Sequence, residues 1–125
     1  MAIQDLFSLQ GDVAIITGAG RGIGRAIAIA FAQAGASVVC AARTQADIDD
    51  TARQCRQSGG SALAVACDVS NEEDLAKLVK ACIDEFGKIS ILVNNAGGAY
   101  PNDPLKTDAK TFNRDFNFNV TCALS

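Results

Sequence analysis

The stretch Thr17-Gly-Ala-Gly-Arg-Gly-Ile-Gly24 follows the apolar run Val13 to Ile16 and leads straight into a helical pattern. A strand, a glycine turn and a helix start in that order form a cradle for an anion. Glycines let the backbone turn tightly and approach a ligand without Cβ clashes, while the first helical N–H groups and the positive end of the helix dipole face the same point. The spacing T-G-x-x-x-G-x-G meets the dinucleotide-binding rule only in part, and an ordinary glycine-rich turn between a strand and a helix has the same composition. A glycine-loop nucleoside triphosphatase is disfavoured, because the loop lacks the lysine and the Ser/Thr that serve β/γ-phosphate and magnesium.

Along the chain, Val13 to Thr17 reads as a buried strand. Ile23, Ala26, Ile27, Ala30, Phe31 and Ala34 recur at helical spacing and stop at Gly35. Ser37 to Ala42 is a second strand, and Thr44 with Asp47 resembles a capping box for a helix carrying Ile48, Ala52 and Cys55. Ala62 to Cys67 is the third strand. Ser70 and Glu73 give a stronger capping box, followed by the stripe Leu75, Leu78, Val79, Cys82 and Phe86, which ends at Gly87. Ile89 to Val93 is the fourth strand. A last helix is expected from about Asp108, with Phe112, Phe116, Asn119, Val120 and Ala123 on one face.

Strands alternating with helices at this period predict an α/β fold with a parallel sheet covered on both faces. The doubly wound order is 3-2-1-4, in which the loops after Thr17 and Val93 open side by side into one crevice.

Length and composition bound the function. A chain of 125 residues makes one domain, and its net charge of -3 carries no basic stripe, so no nucleic-acid partner is expected. Apolar runs are broken well before membrane-spanning length, and Met1 to Gln10 lacks the basic start and apolar core of a signal peptide. No membrane partner is expected either. The 5 cysteines form no C-x-x-C pair and are odd in number, which fits free thiols in a reducing cytoplasm. The absence of histidine removes histidine-based triads and the usual zinc sites. The periodic pattern runs to Ser125 without a cap, and strand four is left at an edge, so residues 1–125 are expected to be the first part of a longer protein.

The glycine loop, the Asp68-Val69 pair after strand three, the Asn94-Asn95-Ala96-Gly97 run after strand four and Asn119 resemble, in order and spacing, the short-chain dehydrogenase/reductase family. The resemblance implies a Rossmann-type domain continuing beyond residue 125, and reversible hydride transfer between a nicotinamide cofactor and an alcohol or ketone. It implies that Gly18, Gly22 and Gly24 carry the pyrophosphate turn, with Gly20, Arg21 and Ile23 in the same cofactor-binding segment. It implies that Asp68 and the Val69 backbone hold adenine, that Asn95, Ala96 and Gly97 support strand four and the adenosine side, and that Asn119 keeps a water-linked proton relay in place. A homo-oligomer, a tetramer, is also implied. Read from the residues alone, Asp68 could instead cap the helix that follows, a place Ser70 fits better.

Cofactor choice is readable from one slot. An NAD site usually carries an acid about 20 residues beyond the glycines, to bond the ribose 2′-hydroxyl. Here strand two ends Ala41-Ala42-Arg43, and an arginine can clamp a 2′-phosphate with two charge-assisted bonds. NADP is therefore expected over NAD, with Arg21 approaching the same phosphate as in NADP-using members of the family. The family's catalytic tyrosine stands four residues before a lysine, whereas the only tyrosine, Tyr100, has Pro104 there. Serine, tyrosine and lysine of the acid–base step are thus expected outside this stretch, which alone binds and orients a cofactor. The alternative is a non-catalytic nucleotide-binding or protein-interaction module, complete at Ser125.

Overall fold

The computed structural model describes residues 8–95. Four parallel strands, β1 (Val13–Thr17), β2 (Ser37–Ala42), β3 (Ser61–Ala66) and β4 (Ile91–Val93), lie in the order β3-β2-β1-β4. Three helices, α1 (Gly22–Gln33), α2 (Gln45–Gln57) and α3 (Glu72–Phe86), connect them. The register runs Val13 opposite Ser37 and Ala14 opposite Ile91, so β1 is paired along both edges. All five of its residues are buried, as a strand with covered faces and paired edges requires.

Alternate residues of the strands supply two cores. Ile16, Val38 and Cys40 face α1 and α2, meeting Ala28, Ala32, Ile48, Ala52 and Cys55. Val13, Ile15, Val39 and Ala41 face α3, meeting Leu78 and Cys82. In α2 the buried residues Ile48, Thr51, Ala52 and Cys55 fall at helical spacing, which puts the whole apolar stripe against the sheet. In α1 the buried positions Gly24, Ala28 and Ala32 are all small, so the helix axis can lie close over β1 and β2. The chain reverses direction across the sheet at β1, which has β2 on one side and β4 on the other. Loops after β1 and β4 therefore part at the strands' C-terminal ends and leave a crevice there.

Several expected boundaries shift by a residue or two. β3 begins at Ser61, and Cys67 lies just past its end, where its amide donates to the Ala42 carbonyl at 2.9 Å. β4 starts at Ile91 rather than Ile89, because Ser90 closes the strand start differently: its amide donates to Val13 O at 2.9 Å and its hydroxyl accepts from Val13 N at 3.0 Å. Thr44 is the N-cap of α2 but makes no side-chain cap bond, and the Asp47 side chain packs toward Gly20 instead of closing a box. The N-cap of α3 is Asn71, whose Oδ1 accepts from Asp74 N at 3.1 Å. Ser70 is engaged elsewhere, by Asp68. Val79, expected in the buried stripe of α3, is 46 % exposed, since beyond β4 nothing among the described residues covers that side of the helix. The last helix expected from about Asp108 lies outside the described residues.

Candidate cofactor site

The crevice at the C-terminal ends of the strands encloses about 280 Å³. Gly18, Gly20 and Arg21 form one wall, and Ala42, Arg43, Thr44 and Asp47 form the end nearest α2. Cys67, Asp68 and Val69 enter from the end of β3, and Asn95 from the end of β4.

The glycine wall has its shape for local reasons. Gly18 and Gly22 sit at φ 63° and φ 61°, a left-handed backbone that costs any residue with a Cβ roughly 1–2 kcal/mol. Gly24 is there for space. A Cβ on it would stand 2.0 Å from the Gly18 carbonyl oxygen and 2.7 Å from Asn95 Nδ2, so a side chain would push the helix start away from the turn. That approach lets Asn95 Nδ2 donate to Gly18 O at 3.3 Å, while Asn95 N donates to Thr17 Oγ1 at 3.0 Å. Asn95 thereby ties the end of β4 to the start of the turn. The first turn of α1 carries no acidic residue, so nothing on the helix offsets its positive end.

Opposite, Asp68 is shaped by its own loop. The Ser70 hydroxyl donates to Asp68 Oδ1 at 2.6 Å and the Ser70 amide to the same oxygen at 3.0 Å. These bonds, with the nearby charge of Arg43, hold the carboxyl below its ordinary range, so it is an anion at neutral pH. Asp74 Oδ2 in turn accepts from the Asp68 amide at 3.0 Å, fixing the loop on α3. Asp68 thus caps its own turn, through Oδ1, and not the helix. Cys67 beside it is pushed up to about 11 by burial and by the negative charges of Asp74 and Asp68, which keeps it a neutral thiol.

Of the residues singled out from sequence, Gly18, Gly20, Arg21, Arg43, Asp68, Val69 and Asn95 line this one crevice. Gly22 and Gly24 shape its wall without lining it, and Ile23 is 73 % exposed to solvent. Ala96, Gly97 and Asn119 lie outside the described residues. Thr44, Asp47 and Cys67 line the crevice without having been singled out for it. The first two had drawn notice only as a capping pair, and that local signal concealed their place at the β2 end of the cleft.

The model of the short chain dehydrogenase family matches residues 12–125. The chain belongs to the short-chain dehydrogenase family. It is 48 % identical over 121 residues to an uncharacterized oxidoreductase of Mycobacterium tuberculosis, covering 97 % of this chain and 46 % of that protein. It is 44 % identical over 117 residues to the 7alpha-hydroxysteroid dehydrogenase of Escherichia coli K12, covering 94 % of this chain and 46 % of that protein. A solved 7alpha-hydroxysteroid dehydrogenase complexed with NADH and 7-oxo glycochenodeoxycholic acid superposes with a TM-score of 0.92 at 42 % identity, over 99 % of this chain and 48 % of the other. The sheet order and flanking helices are those of a Rossmann-type fold, and the chain spans about half the length of these relatives.

Proposed function

We propose that the crevice holds NADP(H) and that the chain is the cofactor-binding part of a longer oxidoreductase that interconverts a ketone and a secondary alcohol. The observation that carries this reading is the meeting of Arg43 with the glycine wall in one crevice. The donor set fits such a group. Backbone amides at the turn and the start of α1 would hold the diphosphate, and Arg43 with Arg21 would clamp a 2′-phosphate. Asp68 and the Val69 amide would read the adenine edge, while Asn95, Ala96 and Gly97 support the adenosine side. When bound, the nicotinamide supplies the hydride acceptor or donor. Asn119 is proposed to keep the proton relay in place, with the serine, tyrosine and lysine of acid–base chemistry beyond residue 125. The four described thiols are free and buried, which supports a reducing, cytoplasmic setting. Assembly as a homotetramer belongs to the same reading.

A second reading, NAD, has one observation in its favour. Asp47 lines the same end of the crevice as Arg43, and a carboxylate there could accept from a ribose 2′-hydroxyl. The test is the full-length protein assayed for NADPH and NADH oxidation against ketones that include steroids and acyl thioesters. Arg43→Asp is expected to weaken NADPH binding at least about tenfold more than NADH binding, the scale of one lost charge-assisted pair. Equal losses for the two cofactors reject the NADP assignment, and no oxidation of either with any ketone rejects the activity.

A further inference from the structure

We propose that Arg25 and Thr51 are positioning residues for the cofactor-binding turn, holding two of its carbonyls back so that the Gly20 and Arg21 amides face the crevice. The inference rests on the reading of that crevice as a dinucleotide site.

Thr51, in the middle of α2, is fully buried, an unusual place for a hydroxyl unless it is committed to partners. Its Oγ1 donates to the Ala19 carbonyl at 2.8 Å, across from another element. The same oxygen accepts from Arg25 Nε at 2.9 Å. Arg25 then spends its other nitrogens on the same junction: Nη2 donates to Gly20 O at 2.6 Å and to Asp47 O at 3.2 Å, and Nη1 pairs with Asp50 Oδ2 at 3.1 Å. Asp50 is itself held by Arg53, which fixes the far end of the chain of contacts.

The consequence follows from peptide geometry. Every peptide bond described is trans, so each carbonyl and the N–H of the next residue point in opposite directions. With Ala19 O drawn toward Thr51 and Gly20 O toward Arg25, the amides of Gly20 and Arg21 are turned the other way. Both residues line the crevice, and although residues 18–20 close as a turn, neither amide makes a backbone hydrogen bond of ordinary geometry among the described residues. Two consecutive N–H groups fixed on one side of a turn make an anion-binding concavity. Without the two side chains the Ala19-Gly20-Arg21 peptides would be free to rotate, because glycine imposes little on its own backbone.

The decisive variants keep the charge of the site. Thr51→Val removes the hydroxyl at equal shape, and Arg25→Lys keeps the cation but loses the planar fork. In fluorescence titrations of the full-length protein, each is expected to weaken NADPH and NADH alike, by about tenfold, the scale of one committed hydrogen bond. The loss falls on KM for the cofactor more than on kcat, and Thr51→Ser restores affinity to within about twofold because it returns the donor. Residues that merely glued α1 to α2 would lower the melting temperature and leave the affinity of the folded fraction untouched. Wild-type affinity for both dinucleotides in Thr51→Val and Arg25→Lys overturns the proposal, as does a loss that tracks only the unfolded fraction or a loss confined to NADPH. A wild-type protein that binds neither dinucleotide is a different result, and overturns the reading of the crevice together with this inference.

Discussion

Asp68 shows how one side chain carries a loop and a site together. Its carboxyl lies below the ordinary 3.8 because Ser70 donates to it twice and Arg43 stands near. A carboxyl depressed in the folded state adds stability that is present above the unfolded pKa and lost as pH falls through the folded one. Wild type is therefore expected to melt above Asp68→Ala at neutral pH, and the gap is expected to close below about pH 4. A melting difference that stays constant down to acid pH contradicts this. The contribution is small, as Asp68 is only half-buried and solvent screens its charge. Sequence places Asp68 correctly at a strand end, but not its partner: Ser70 has the look of a helix cap and serves Asp68 instead. Arg25 and Thr51 were illegible for a deeper reason. They stand 26 positions apart, each an unremarkable polar residue on a helix, and only the packing of α1 on α2 brings them into contact.

At the level of elements, the pattern of apolar residues was a good guide wherever burial is complete and a weaker one at the ends. β1 and β2 were readable to the residue, since every interior position is apolar and covered. β4 was not, because Ile89 continues the apolar run while Ser90 decides where pairing begins. The cap of α3 was displaced by one, because Ser70 with Glu73 satisfies the local rule while the adjacent Asn71, which completes no such box, makes the cap bond. The structure selects Asn71, and Asn71→Ala is expected to destabilise the protein by about 1 kcal/mol in urea unfolding. An unchanged midpoint would mean that the cap is made by another residue. Gly24 belongs to this scale too, because its missing Cβ sets the approach of α1 to the turn.

For the molecule as a whole, the order β3-β2-β1-β4 is what turns scattered motifs into one site. The glycine turn, Arg43, Asp68 and Asn95 follow four different strands, and a sheet that reverses at β1 brings all four strand ends to one crevice. That order was legible from the alternation of strands and helices alone, whereas Thr44 and Asp47 in the crevice depend on how α2 starts against the turn. On the proposed reading, the share of the work that falls to this sheet is to grip and orient the cofactor. A co-crystal structure of the full-length protein with NADPH tests that most directly. The account predicts diphosphate density over Gly18 to Gly24, adenine beside Asp68 and the 2′-phosphate against Arg43. A dinucleotide bound elsewhere, or a glycine turn packed by protein side chains in its place, would contradict it.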